Sequence, residues 1–199
     1  MIAALYVDSR RGPYPHIEGV DCWDEARDAT LYDGPYPVVC HPPCGHYGRY
    51  HQRCKDDGHT GPIAVAQVRK FGGVLKQPRH SKLWTLCSIP KPGAAPDEFG
   101  GYSIDIEQGD WGHRAQKGTW LYVVGCHPGN LPLIPPRRPP PVMPASAGKT
   151  RGILELMSKT SRHLTPPAFA EWLVDVARRC HVAPYVNVSY VRPTSQEPK

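Results

Sequence analysis

Apolar and polar positions divide the first two-thirds of the chain into short elements. Residues 2–7 form an apolar run that stops at Asp8, and residues 9–15 are rich in Arg, Gly and Pro. This pattern predicts a buried strand followed by a loop. Residues 20–32 contain Asp24-Glu25-Ala26-Arg27-Asp28-Ala29 and predict a polar helix with Asp21 or Asp24 as its cap. Pro37-Val38-Val39-Cys40 is a short apolar run halted by Pro42-Pro43, as a strand running into a stiff loop would be. Ile63, Val65, Ala66, Val68 and Phe71 recur at helical spacing, and Gly72-Gly73 supplies the stop. Val74-Leu75 opens another strand that ends at Pro78, and residues 83–86 predict a short helix. Residues 102–106 alternate as a strand does, and residues 119–124 are the strongest strand signal in the chain.

The remaining third has a different texture. Residues 131–144 are Pro-rich and predict an extended, polyproline-like segment; residues 148–159 are basic and loop-like. Thr165-Pro166-Pro167 then starts the clearest helix, with Thr165 as N-cap and Pro166 at the first helical position. Ala168, Phe169, Trp172, Leu173, Val176 and Ala177 line one face of it, and Arg178, Arg179 and His181 suit its negative end. The expected organisation is an α/β core over 1–130, a Pro-rich basic linker or insertion over 131–160, a C-terminal helix returning to the core over 161–182, and a disordered tail over 183–199. Alternation of strands and helices favours a Rossmann-like, mostly parallel sheet with flanking helices. Ligands bind such sheets at the carboxyl ends of strands. Those ends carry Asp8, His41 to Cys44, and Lys76-Gln77-Pro78, which the fold would bring into one site.

Composition adjusts this picture modestly. The 199 residues suffice for one domain with its own core. A formal charge of +6 is a mild bias toward polyanions. No apolar run approaches the roughly 18 residues of a membrane span. Residues 1–7 lack the basic start of a secretion signal, so a cytoplasmic protein without a membrane partner is expected. Seven cysteines, an odd count at irregular spacing, favour reduced thiols, metal ligation or catalysis over a disulfide framework.

Cys44 is the most chemically suggestive of them. Two prolines before it and Gly45 after it make a stiff presenting loop, and a thiolate is the right nucleophile for conjugate addition to a pyrimidine ring. His41, His46, Arg49 and His51 lie near enough in sequence to lower its pKa. The plainer alternative is a small buried hydrophobe behind a structural turn. A zinc set of Cys40, Cys44, Cys54 and His59 is a further alternative, although the spacing matches no standard pair of Cys-x2-Cys knuckles.

Four segments in order resemble the cytosine-C5 DNA methyltransferases. Val38-Val39-Cys40-His41-Pro42-Pro43-Cys44 resembles the strand and Pro-Pro-Cys motif that carries the family's nucleophile. Gly72-Gly73-Val74-Leu75-Lys76-Gln77-Pro78 resembles the strand ending in Glu-Asn-Val. Residues 110–125 resemble the Tyr-Gly-x-Pro-Gln-x-Arg-x-Arg motif and its strand, and residues 161–170 resemble the Arg-x-Leu-Thr-Pro-x-Glu segment. The resemblance spans about residues 36–175 and implies a compact, phage-type enzyme acting on DNA in the host cytoplasm, a monomer or a homodimer. It implies Cys44 attacking C6 of a flipped pyrimidine, Lys76 and Gln77 facing the base edge, and Arg114 and Lys117 holding the base or its phosphate. It implies S-adenosylmethionine as cofactor, with Asp8, Gly12, Asp24 and Pro42 around it. Two departures stand out. Asp8-Ser9-Arg10-Arg11-Gly12 replaces the family's Phe-x-Gly-x-Gly loop, and Lys76 stands where the family has its catalytic glutamate. These favour, as an alternative, a degenerate methyltransferase fold that binds DNA or a host protein without catalysis. Lysine cannot accept a hydrogen bond from an exocyclic amine. A target whose C4 substituent is a carbonyl, as in uracil, is the corresponding variant.

Overall fold

The computed structural model describes residues 1–48, 59–138, 143–144, 156–158, 161 and 163–181. Six strands form one sheet: β1 (Ile2–Leu5), β2 (Val20–Trp23), β3 (Val38–Cys40), β4 (Gly73–Pro78), β5 (Tyr102–Glu107) and β6 (Gly118–Val124), in the order β2-β1-β3-β4-β6-β5. β1 to β4 are mutually parallel. β6 runs against both β4 and β5, so it is the one reversed strand. The chain is therefore α/β with a mostly parallel sheet.

Two helices cover opposite faces of the sheet. α1 (Thr60–Phe71) buries Ala64, Val65 and Val68 against Leu5, Val38, Cys40 and Leu75. α2 (Leu83–Leu86) adds Leu83 and Trp84 to that side. α3 (Pro167–Arg178) buries Phe169, Trp172, Leu173 and Val176 against Ala4, Val39, Val74 and Leu121. Burying each such large side chain contributes about 2 kcal/mol. The alternation within β3 and β4 thus assigns Val39 and Val74 to the α3 face, and Val38, Cys40 and Leu75 to the α1 face.

Several expectations need correction. The polar helix over 20–32 is absent. Val20 and Cys22 alternate with Asp21 and Trp23, a period of two, and pair in register with residues 2–5. Beyond them, Asp24 accepts the backbone N–H groups of Ala26 and Arg27, and Asp28 accepts that of Thr30. Such local bonds favour turns over helix. The links from β1 to β2 and from β2 to β3 accordingly contain only short 3-10 turns. At α3, Pro166 is the N-cap and Pro167 the first helical residue, one position later than the Thr165 cap anticipates.

Within the Pro-rich segment, the Leu133 carbonyl accepts a hydrogen bond from Trp172 Nε1 at 3.1 Å. Met143–Pro144 and Leu156–Met157 form a small parallel pair, β7 and β8. The expected tail over 183–199, and most of the basic stretch over 148–159, lie outside the described residues. Among the described residues, no helix is long and apolar enough to cross a membrane.

Candidate active site

The strand order places β2 and β3 on opposite sides of β1. The connection leaves β1 toward one edge and resumes on the other, which opens a crevice at the carboxyl ends of β1 and β3. A cleft of about 650 Å³ lies there, walled by residues 6–10 after β1, residues 24–26 after β2, and Pro43 after β3. Its size suits a nucleoside-sized ligand.

Acidic groups dominate the cleft wall, but they differ in engagement. Asp8 Oδ1 accepts the backbone N–H groups of Arg10 and Arg11 at 2.9 Å each. These bonds hold its carboxyl below the ordinary carboxylate range. Gly12 N donates to Asp8 O at 3.0 Å, and a Cβ at Gly12 would meet that oxygen at 2.5 Å. Gly12 therefore closes the turn and lies behind the wall. Asp24 accepts from Ser9 Oγ as well as from the two amides of its own turn. Asp21 is taken by Arg27 and by Trp23 Nε1. The Glu25 carboxylate has no hydrogen bond or ion pair among the described residues, although its carbonyl accepts the Asp28 N–H, and the residue lines the cleft just after β2. The sequence places three acids near this point; only the geometry singles out Glu25 as unengaged.

Cys44 follows the cleft wall by one residue. It is half-buried and caps the 3-10 turn Gly45–Tyr47. The loop before it is anchored from below. Gln77 is fully buried and donates through Nε2 to the Pro42 carbonyl at 2.7 Å. Gln77 thus positions the Pro-Pro-Cys loop and does not face a base edge. Pro42 is likewise buried, and Pro43 lines the cleft in its place.

Two lysines share the electrostatic surroundings of Cys44. Burial pushes Lys76 below its ordinary pKa, and the charge on the Cys44 sulfur opposes that shift. Lys117 is pushed down to about 7, first by burial and then by the neighbouring Lys76 charge, again opposed by Cys44. Lys117 Nζ donates to the Leu164 carbonyl at 2.8 Å, just ahead of α3. Lys76 Nζ has no hydrogen bond or ion pair among the described residues. Arg114 is exposed on the loop before Lys117, so Lys117 is the basic residue from that loop that reaches the cluster.

His41 completes the cluster in an unanticipated state. Its Nε2 lies 2.6 Å from Tyr14 Oη. Burial, followed by repulsion from Lys76 and Lys117, holds the imidazole well below its ordinary pKa. Burial raises Tyr14 well above its own, so the phenol keeps its proton. Nε2 is the only side-chain partner of that buried hydroxyl among the described residues, so the phenol donates to it and the neutral imidazole carries its hydrogen on Nδ1. His41 therefore cannot serve as a cation that activates Cys44. In the sequence, Tyr14 is marked only as an aromatic between two prolines in the loop after β1. His46 is half-buried beside Cys44.

Arg49, His51 and Cys54 lie outside the described residues. Cys40, of the zinc alternative, is fully buried on the α1 face, and His59 caps α1. Among the described residues, no group of three or more His, Cys, Asp or Glu side chains is placed to hold a metal.

The Lys117 environment has a measurable consequence. A folded pKa near 7 against an unfolded value near 10.5 means that the unfolded chain binds the extra proton between those limits. Stability should therefore rise with pH from about 7 to about 10.5, and the cost of burying the charge is fully present below 7. Isotopic dimethylation of lysines followed by an NMR titration should show a resonance moving near neutral pH, and Lys117→Met should remove it. Titration of every lysine above pH 10 would contradict the geometry described here. No family model matches the chain, and neither a curated protein nor a solved structure does.

Proposed function

We propose that this protein modifies a pyrimidine base of DNA at C5 through a Cys44 nucleophile, as the resemblance to the cytosine-C5 methyltransferases implies. One observation carries the reading: a half-buried thiol, beside a cleft at the sheet's topological switch point, shares its surroundings with two partly buried ammonium groups. Gln77 fixes the loop, so the sulfur meets its electrophile in one orientation. Tyr14 fixes the imidazole of His41 in the same way.

The cleft fits S-adenosylmethionine. It has room for a nucleoside, carboxylates suited to a cationic ligand, and in Glu25 an acid after β2 with an unengaged carboxylate, able to accept from a ribose diol. When bound, that cofactor supplies an electrophilic methyl group. Glu25 would hold its ribose, the turn at Asp8 would border its charged end, and Pro43 would separate it from Cys44 by one residue. Exposed Arg137 and Arg138 are positioned through Asp110, which accepts the Arg138 N–H at 2.9 Å and lies 3.6 Å from the Arg137 guanidinium. They add to the positive charge available for phosphates.

A second reading, binding without catalysis, is favoured by one feature. The amides of Arg10 and Arg11, which an open loop would offer to a ligand, are consumed by Asp8. Titration calorimetry with S-adenosylmethionine separates the two. The proposal expects saturable heat at one site, weakened at least about tenfold by Glu25→Ala, a charge-assisted hydrogen bond contributing ~1.5–3 kcal/mol. No heat at millimolar cofactor would sink the methyltransferase reading and leave the binding one.

A further inference from the structure

We propose that the base accepted beside Cys44 is a 2,4-dioxopyrimidine, a uracil-type base, whose O4 edge is read by His41, Lys76 and Lys117. This rests on the reading that Cys44 adds to C6 of a pyrimidine.

The three side chains converge by register. Cys40 of β3 pairs with Leu75 of β4, so His41 lies beside Lys76. Both stand two residues beyond Val39 and Val74, on the face that α3 covers. Lys76 pairs with Leu121 of β6, which belongs to the same face. Lys117 leads into β6 and ties its ammonium to Leu164 ahead of α3. All three therefore meet at the carboxyl edge of the sheet on the α3 side, beside the Pro-Pro-Cys loop.

What they offer a base is one-sided. Lys76 has three N–H donors with no protein acceptor among the described residues. Lys117, when charged, retains two beyond its bond to Leu164. His41 uses Nε2 to accept from Tyr14, which leaves Nδ1 as a donor. The acceptors nearby are engaged or shut off from a ligand. Glu107 Oε2 accepts the Lys117 backbone N–H at 3.0 Å, Glu107 Oε1 lies 2.9 Å from Arg79 in an ion pair, and Gln108 Oε1, although without a hydrogen-bond partner, is fully buried. The Pro42 carbonyl is taken by Gln77. Cytosine would point its C4 amine at this set, donor against donor. Uracil would point a carbonyl at it.

The chemistry gives the same preference. The Cys44 thiolate adds to C6 and forms the S–C6 bond. The C5=C6 π pair moves between C4 and C5, and the C4=O pair moves to O4. The resulting enolate oxygen carries its charge where the ammonium groups stand. Solvent delivers a proton to C5. Loss of the original C5 hydrogen as a proton, with expulsion of the thiolate, then regenerates the base. The net change is exchange of one hydrogen at C5 with solvent, with no oxidant, reductant or second substrate.

That exchange is the test. The full chain is incubated in deuterium oxide with deoxyuridine monophosphate, with a single-stranded oligodeoxynucleotide holding one uracil, and with the same oligonucleotide holding cytosine there. Mass spectrometry of the nucleosides reads deuterium at C5. The expected result is exchange at uracil exceeding that at cytosine by about 100-fold, as sites that hydrogen-bond one edge reject its opposite. The faster of the two uracil arms tells nucleotide from nucleic acid. Lys76→Glu should reverse the preference, and Lys76→Met should lose uracil exchange without gaining cytosine exchange. Wild-type exchange at cytosine equal to or faster than at uracil overturns the base assignment and leaves Cys44 as nucleophile. A preference unchanged in Lys76→Glu also overturns the assignment. Absence of exchange at every base overturns both, as does exchange that survives Cys44→Ser.

Discussion

Cys44→Ser is expected to abolish covalent capture of a duplex carrying a 5-fluoropyrimidine and to lower C5 chemistry by roughly 10⁴-fold or more, the scale on which enzymes lose activity with their nucleophile. A serine hydroxyl is almost fully protonated at neutral pH and is a far weaker nucleophile than a thiolate, and the His41 imidazole, with Nε2 engaged by Tyr14 and its basicity lowered by burial, is not free to act as its base. Sulfur is intrinsically the stronger nucleophile and needs less help from a base. Capture is read as a denaturant-resistant shift of protein mass in the presence of S-adenosylmethionine. Fluorine at C5 blocks the proton loss that would release the protein. The substitution removes no buried bulk and breaks no hydrogen bond of the loop, which Gln77 and the two prolines hold. The variant's melting temperature should therefore stay within a degree or two of the wild type. Equal capture by the variant would remove Cys44 from the chemistry altogether.

Much of the parallel sheet was legible because its strands are buried on both faces and read as continuous apolar runs: residues 2–5, 38–40 and 119–124 are such runs. β2 was not, because its four residues are all half-buried and merge with an acidic stretch. Nor could sequence show that β6 runs backward, since an apolar strand carries no mark of direction. Of the site, the Pro-Pro-Cys loop and the lysine at 76 were visible as residue types in an order. Their partners were not. The resemblance sets Gln77 at a base edge together with Lys76, whereas strand alternation turns it to the opposite face, under Pro42. Sequence proximity makes His41 a candidate to lower the Cys44 pKa, and only its burial beside two lysines and Tyr14 reveals it as neutral. Acids in sequence proximity to a loop likewise do not disclose which are spent on that loop's own amides.

Gly73→Ala should have the largest effect on stability. Gly73 opens β4 beside Val38 of β3, with φ at +126°, where L side chains are rarely found. A Cβ built there would stand 1.9 Å from the Val38 carbonyl oxygen and 2.7 Å from its nitrogen. Both are backbone atoms of a paired strand, so no rotamer change relieves the clash. β3 and β4 would have to separate, and the bond from Val38 N to Gly72 O, 2.9 Å long, lies at the same point. Overpacking costs about 1–3 kcal/mol and a forced backbone region about the same again. Against a total stability of roughly 5–15 kcal/mol, that predicts a fall in melting temperature of the order of 10 °C, or no folded protein at all. Gly109→Ala is the control: its added methyl meets nothing within 4 Å, and its stability should change by less than about 0.5 kcal/mol. A Gly73→Ala protein that melts within 2 °C or so of the wild type would mean that β3 and β4 do not approach as described. The consequence would reach the site, because these two strands carry at their other ends His41 with the Cys44 loop, and Lys76 with Gln77. The close approach that only glycine permits at one end fixes the spacing of thiol and ammonium at the other.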